Sequence, residues 1–81
     1  MKNRYTSIIF GKVLRELRTE RKQSQEALAF DADLDRTYIY LLEQGQRTPS
    51  LDTMLALSGA LKITLAHMAS LIEQKMNEDH D

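Results

Sequence analysis

The hydrophobic residues of this 81-residue chain recur with helical rather than strand periodicity. Near the N-terminus, Phe10, Val13, Leu14 and Leu17 lie at i, i+3, i+4 and i+7, with charged residues between them. Apolar residues at this spacing fall on one face of an α-helix. The pattern therefore predicts a first helix over about residues 7–22.

Two short helices joined by a turn are predicted next. Ser24 is a good N-cap for a helix over residues 25–30, because its hydroxyl can accept a hydrogen bond from a first-turn amide. The aspartate-rich segment 31–35 favours a turn, since aspartate prefers turns and caps to helix interiors. Its last residue then caps a third helix over about residues 36–44, which ends at Gly45, a residue suited to the left-handed conformation.

Two further helices complete the predicted fold. Ser50 caps the fourth and Thr64 caps the fifth. One proline, three glycines and five aromatic residues provide too little turn chemistry for an all-β protein. We therefore predict a compact all-α fold of five helices, as a single domain over residues 1–81 with its core within about 7–76. The apolar stripe of the fifth helix comprises Met68, Leu71, Ile72 and Met76.

Composition narrows the classes of protein to which the chain can belong. It contains no cysteine, which excludes disulfides, zinc–thiolate sites and thiol nucleophiles. No apolar run approaches the roughly 18–20 residues of a membrane span. No long apolar segment follows the N-terminus as it would in a secretory signal. We expect a cytoplasmic protein with no membrane partner.

Patterns typical of catalysis or metal binding are missing from the sequence. Neither His67 nor His80 has a ligand-type residue at i+4, so no metal site is expected. No glycine-rich phosphate loop and no Ser/His/Asp arrangement is visible. We expect no catalytic residue, no cofactor, no small-molecule ligand and no enzymatic activity.

The net charge of −1 hides an uneven distribution. Residues 1–22 carry a net charge of +5, whereas residues 23–50 and residues 51–81 each carry −3. A near-neutral total argues against a nucleic-acid partner, for which a basic domain is the usual sign. The basic start remains compatible with a polyanion if it shares a face with the element that binds it.

The second and third predicted helices carry the functional signal. Two short helices joined by a tight turn often form a helix-turn-helix, whose second helix lies in the major groove of DNA. Arg36, Tyr40 and Gln44 lie at i, i+4 and i+8, on the side opposite the apolar residues of that helix. With Thr37 they offer the groups that read base edges. The same residues also fit a plain solvated helix face.

The chain resembles a known family over residues 10–65. The matching segments are FGKVLRELRTERKQSQEALA and LDRTYIYLLEQGQRTPSLDTMLALSGAL, in which the motifs S-Q-E-x-L-A, T-Y-I-x-x-x-E-x-G and x-P-S-L occur in order. They resemble the phage-repressor or XRE type of helix-turn-helix protein, especially small single-domain regulators such as restriction–modification controller proteins. The resemblance implies a lambda-repressor-like five-helix fold with its helix-turn-helix at about residues 24–44.

The resemblance also implies a function. Such proteins are transcription regulators that bind palindromic operators in double-stranded DNA as homodimers, through a recognition helix in the major groove. RNA polymerase is a further candidate partner. The alternative is a protein-interaction module of the same fold, antitoxin-like or polymerase-binding, with weak affinity for DNA. The low net charge favours this alternative modestly.

Individual residues receive roles from the resemblance. Arg18 and Glu43 occupy positions that commonly form a buried ion pair between the first and third helices. Gln25 stands where the family's glutamine touches phosphate, outer bases or the recognition helix. Tyr38 fits a core position, a phosphate contact or both, and we expect partial burial with its hydroxyl outward. The implied DNA-binding residues are Gln25, Arg36, Thr37, Tyr38, Tyr40, Gln44, Arg47 and Thr48.

Three further expectations concern single positions or short sets. Asp33 stands in the central turn where many members have glycine, and we expect it to adopt the left-handed conformation with mild strain. Phe30 is expected to cover an edge of the hydrophobic core. The stripe of Met68, Leu71 and Ile72 is expected to form part of a dimer interface, although such a stripe is more often core.

Overall fold

The computed structural model describes residues 4–79, which form five helices and no strand. The predicted all-α, five-helix fold is therefore confirmed within this range. The two short helices stand next to each other in the chain and pack against each other, as a helix-turn-helix requires. In chain order the helices are α1 (Arg4–Glu20), α2 (Gln25–Ala32), α3 (Arg36–Glu43), α4 (Leu51–Ala60) and α5 (Leu65–Asp79).

Left-handed residues decide where α1 and α2 end. α1 begins three residues before the predicted range 7–22 and ends two residues before its end. Lys22 then has a φ of 57°, which a continuing helix cannot accommodate. α2 runs to Ala32 rather than to residue 30, because Asp33 closes it in the left-handed conformation with a φ of 58°. The turn is thus kept without glycine, as predicted for an aspartate.

The four predicted N-caps are all present in the structure. In each case the side-chain oxygen accepts a hydrogen bond from an amide of the first turn, which no backbone carbonyl can satisfy. These bonds fix the start of every helix after α1. The capping residues and the amides that donate to them are Ser24 with Ala27, Asp35 with Thr37, Ser50 with Thr53, and Thr64 with His67.

α3 lies against both α1 and α2 and contributes two fully buried side chains, Ile39 and Leu42. Burial of one such side chain stabilises the fold by about 1.5–3 kcal/mol, so these residues fix one side of α3 on the core. Met68 of α5 is also 0% exposed. The other members of the buried cluster are Phe10, Leu14, Leu28, Ala29, Ala32, Leu57 and Leu61.

The close approach of α1 to the end of α3 depends on Gly11. A Cβ atom on this residue would lie 2.5 Å from the carbonyl oxygen of Leu42 and 2.6 Å from that of Glu43. Both oxygens belong to the backbone, so no flexible side chain can move aside. Gly11 therefore sets the distance between α1 and α3.

Within residues 4–79, no single helix has the length and apolar character needed to cross a membrane. The segments Leu51–Ala60 and Leu65–Glu78 meet those criteria only when taken together, and the pair is bent by 103° at its break.

Candidate nucleic-acid interface

α3 turns its apolar side chains inward and several polar ones outward. Ile39 and Leu42 are 0% exposed, whereas Tyr40 is 47% exposed. Arg36 and Thr37 are exposed in the first turn of the helix. The structure thus brings Arg36, Thr37 and Tyr40 together at the N-terminal half of one surface. A guanidinium, a hydroxyl with its methyl group and a phenol are groups that can contact base edges.

A buried ion pair holds the opposite end of α3. Nε of Arg18 donates to Oε2 of Glu43 at 2.6 Å, and its Nη2 donates to Oε1 at 3.0 Å. The Glu43 side chain is only 2% exposed. Nη1 of Arg18 also donates to the carbonyl oxygen of Gln23 at 2.8 Å. The ion pair expected from the resemblance therefore joins α3 to α1 and to the segment that precedes α2.

Gln25 extends this network to α2. Its Nε2 donates to Oε1 of Glu43 at 2.9 Å, so one carboxylate accepts hydrogen bonds from two helices. Of the three roles that the resemblance left open for Gln25, the structure contains the contact with the recognition helix. Gln25 therefore helps to fix the orientation of α3 relative to α2.

Arg18 is positively charged at ordinary pH. The hydrogen bond with Glu43 is the main effect that raises the pKa of Arg18 above its ordinary value, while burial lowers it. Because the pKa of Arg18 is higher in the folded than in the unfolded state, the stabilisation that its charged form gives the fold is complete below the pKa of the unfolded state. It is lost only as the pH rises through the still higher pKa of the folded state.

Tyr38 points toward α4 rather than away from the protein. Its hydroxyl lies 3.1 Å from Oγ1 of Thr53, and Thr53 is 8% exposed. The hydroxyl of Ser50, which caps α4, donates to the same threonine oxygen at 3.0 Å. The expectation of an outward hydroxyl is wrong, because Thr53 provides a hydrogen-bonding partner inside the domain. A contact between Tyr38 and DNA stays a prediction.

A polar cleft of about 740 Å³ lies beside the C-terminal end of α3. Gln44, the C-cap residue of α3, lines it together with Arg47 and Thr48. All three are exposed, and the hydroxyl of Thr48 lies 2.8 Å from that of Ser7 on α1. The structure thus groups three of the DNA-binding residues that the resemblance implies.

Arg4 is a member of this cleft that the sequence did not single out. It lies in the first turn of α1, and its Nη2 donates to the carbonyl oxygen of Gly45 at 3.2 Å. The only signal in the sequence was the net charge of +5 over residues 1–22. Arg4 and Arg47 therefore border one cleft with two guanidinium groups, which suits a phosphate.

The outer face of α2 has a different character. Phe30 is 85% exposed, so the expectation that it covers an edge of the core is wrong. Leu28 and Ala29 provide the buried contacts of this helix instead. Glu26 and Asp33, four residues before and three residues after Phe30, are exposed on the same side of the chain. Negative charge here repels anions such as phosphates.

The α5 stripe is largely covered within the protein itself. Met68 was expected at a dimer interface, but the structure places it in the core cluster, because α5 packs against α1 and α4. Leu71 and Ile72 are half-buried, and Ile72 packs against the core cluster. An interface built on these residues would therefore offer little apolar area.

The described part of the chain does not group side chains as a metal centre does. Among residues 4–78, no three His, Cys, Asp or Glu side chains lie close enough together to hold a metal ion. The surface around α3 instead offers hydrogen-bond donors and cations, which are groups that bind anions.

Comparison with known proteins agrees with this geometry. Residues 14–68, more than half of the chain, match the helix-turn-helix family. The chain belongs to this family, in its XRE-type branch. The predicted membership is therefore confirmed, and the matched range includes both helices of the helix-turn-helix.

Restriction–modification controller proteins are among its relatives. The chain is 44% identical over 69 residues to the control protein C.MunI of Mycoplasma sp, which covers 84% of this chain and 93% of that protein. The crystal structure of the controller protein C.AhdI from Aeromonas hydrophila has a TM-score of 0.74 at 47% identity, over 76% of this chain and 94% of that chain. A tetramer of the controller protein C.Esp1396I in complex with its natural 35-base-pair operator has a TM-score of 0.82, over 88% and 93% of the two chains. At 22% identity this last likeness shows the shared fold.

Proposed function

We propose that this chain is a sequence-specific DNA-binding transcription regulator that binds a palindromic operator as a homodimer, with α3 in the major groove. Its membership of the helix-turn-helix family supports the assignment. So do its likeness to control proteins and a neighbour of the same fold that is bound to its operator. The proposed site of action is the cytoplasm. A contact with RNA polymerase is a further proposal that rests on the resemblance alone.

The observation that carries the proposal is the way in which α3 is held. Arg18 and Glu43 fix its C-terminal end, and Ile39 and Leu42 fix its inner side. Its outer surface remains polar and exposed. A helix held in this way is preorganised, so little ordering is needed when it enters a groove.

The proposed base contacts come from the first turns of α3. The planar guanidinium of Arg36 suits O6 and N7 of guanine, the commonest specific contact in the major groove. Thr37 offers a methyl group to a thymine methyl and a hydroxyl to either kind of base pair. Tyr40 is 47% exposed one turn further along the helix and adds a phenolic hydroxyl.

The proposed phosphate contacts come from the cleft at the other end of α3. Gln44, Arg47 and Thr48 line it together with Arg4. Contacts to phosphate fix the position of a protein on DNA and carry no sequence information. These residues therefore set the register in which Arg36 meets the bases.

Selection from random DNA duplexes tests the proposal directly. We expect the protein to enrich a palindromic site whose half-sites lie about one helical turn, or 34 Å, apart. Affinity for that site should fall steeply with salt, because binding releases counterions from phosphates. Phe30→Ala is a matched control, since Phe30 lies on the acidic face of α2 and its loss should leave the selected site unchanged. Selection that enriches no palindrome would overturn the proposal.

One observation favours the second candidate function, a protein-interaction module of the same fold. Phe30 is 85% exposed between two acidic residues, a surface suited to a basic protein with an apolar pocket rather than to DNA. Absent or salt-insensitive duplex binding, together with a stoichiometric protein partner that Phe30→Ala releases, would support this function. Retained partner binding by Phe30→Ala would speak against it.

A further inference from the structure

α4 carries the exposed apolar surface that α5 lacks. Leu51 is 62% exposed and Leu55, one turn later, is 50% exposed. Gly59 follows at the same spacing and is also exposed. A Cβ atom added to Gly59 would have no atom within 4 Å. These three residues form a stripe on α4, with the large side chains of Leu51 and Leu55 at one end and a gap at Gly59 at the other.

A shallow depression of about 540 Å³ opens beside this gap. Lys62 lies on its α4 side, while Asp31 and Asp33 lie on its α2 side. Nε2 of Gln23 donates to the carboxylate of Asp31 at 3.0 Å. The small residues of its lining are Ala32, Ala56, Gly59 and Ala60.

We propose that this stripe is the homodimer interface, in which two copies of α4 pack antiparallel about a two-fold axis through Leu55. In that register Leu55 faces its own copy, and Leu51 of each chain faces Gly59 of the other. Leu51 and Gly59 each lie four residues, or about 6 Å, from the axis. The side chain of Leu51 then enters the depression beside Gly59.

The patch fits a second copy of itself better than it fits an unrelated partner. A two-fold interface uses the same surface twice, so each feature must find its complement elsewhere on that surface. Here a protruding leucine and a gap with small residues stand at equal distances on either side of Leu55. Leu51 and Leu55 would both leave water, and burial of apolar area is the main driving force of association.

The charges agree with the same register. Asp52 is exposed next to Leu51, and Lys62 is exposed on the rim of the depression. With the axis at Leu55, Asp52 of each chain lies opposite Ser58 of the other, two residues before the end of that α4. Lys62 follows that end by two residues, within reach of an extended lysine side chain. Asp33 on the opposite rim reduces the attraction, so we expect a modest contribution from each pair.

The inference rests on the homodimer of the proposed function and moves its interface from α5 to α4. The two sites make opposite predictions for crosslinking. The natural chain has no cysteine, so a single introduced thiol reports one position. Leu55→Cys places two thiols at the axis, within the distance that a disulfide requires. Leu71→Cys tests α5 and Phe30→Cys tests random collision.

Under mild oxidation at micromolar concentration, we expect Leu55→Cys to become a disulfide-linked dimer. We expect Leu71→Cys and Phe30→Cys to remain mostly monomeric on a denaturing gel. Crosslinking at position 71 without crosslinking at position 55 would overturn the inference. So would sedimentation of the natural chain as a monomer at high micromolar concentration.

Exchange of the charges at Asp52 and Lys62 provides a second test, because a variant that fails to fold would not regain dimer affinity when the second charge is also exchanged. Asp52→Lys alone and Lys62→Asp alone should each raise the dimer dissociation constant about fivefold, because like charges then face each other twice per dimer. The double variant should return to within about twofold of the natural chain. Additive losses in the double variant would contradict the antiparallel register.

DNA binding separates this inference from the proposed function. Leu55→Glu should weaken the dimer more than tenfold and keep the helical circular dichroism, since Leu55 is half exposed. It should still bind a single half-site while losing the extra affinity for the palindrome. If Leu55→Cys forms the crosslinked dimer but the natural chain selects no palindrome, the proposed function is refuted and the interface stands.

Discussion

The two ends of α3 are built for different tasks. At the C-terminal end, Glu43 is 2% exposed and accepts hydrogen bonds from Arg18 and Gln25. At the N-terminal end, Arg36 and Thr37 are exposed on the surface. The first end stabilises the domain, and the second is free to meet a ligand. Because the two sets of residues do not overlap, the proposed operator preference can change without loss of the fold.

The difference between the two ends of α3 predicts the largest loss of stability for a substitution at Glu43. Glu43→Ala leaves the Arg18 guanidinium, 12% exposed, without its carboxylate. Loss of one partner of a buried ion pair lowers the free energy of unfolding by about 3–5 kcal/mol. Chemical denaturation followed by circular dichroism measures this change.

The double variant Arg18→Met with Glu43→Leu is the control for this prediction. It removes both charges and keeps apolar volume, so most of the lost stability should return. A double variant as unstable as Glu43→Ala would show that packing rather than an uncompensated charge causes the loss.

The second test concerns the contact between α1 and the end of α3. Gly11→Ala puts a methyl group 2.5 Å from the carbonyl oxygen of Leu42, so the two helices must separate. Overpacking of this kind lowers the free energy of unfolding by up to about 3 kcal/mol. Gly59→Ala, measured at a concentration low enough to keep the chain monomeric, is the matched control, since its methyl group then meets no neighbouring element within 4 Å and it removes a helical glycine. It should raise the free energy of unfolding by about 0.5–1 kcal/mol. Equal effects at the two positions would contradict the proposed close contact.

The sequence predicted the elements better than it predicted their surfaces. Caps such as Ser24 and Asp35 could be found because a cap acts on amides within three residues. The ion pair of Arg18 and Glu43 was reached only through the resemblance, because 25 residues separate its members. Local patterns contain no information about which distant residues meet.

The incorrect expectations share one physical cause. Met68 and Phe30 were assigned from their own helices, but the neighbouring helices decide which of them is covered. Tyr38 turned inward because Thr53, on a different helix, offers a hydroxyl. Arg4 lies beside Arg47 only because α1 crosses the end of α3. Burial and partners at these positions depend on the tertiary arrangement.

The third test addresses the exposed end of α3. Arg36→Ala should weaken binding to the selected operator by about 2 kcal/mol and relax the preference at one base pair of each half-site. The free energy of unfolding should stay within about 0.5 kcal/mol of the natural value, because Arg36 is a surface residue. Titration of matched and single-substituted duplexes measures both effects. Arg47→Ala is the control, and it should weaken all duplexes equally because Arg47 is proposed to contact phosphate.

The smallest change in stability is expected at Tyr38, which lies between the two ends of α3. This residue tests whether its hydroxyl stabilises the fold or contacts DNA. Tyr38→Phe removes the hydrogen bond to Thr53 but leaves that threonine its bond with Ser50. The free energy of unfolding should therefore fall by only about 1 kcal/mol. If the hydroxyl stays on Thr53 in the complex, operator affinity at a fixed folded concentration changes less than twofold. A larger loss of affinity with unchanged stability would mean that the hydroxyl leaves Thr53 for DNA, which would assign Tyr38 to the reading end of α3.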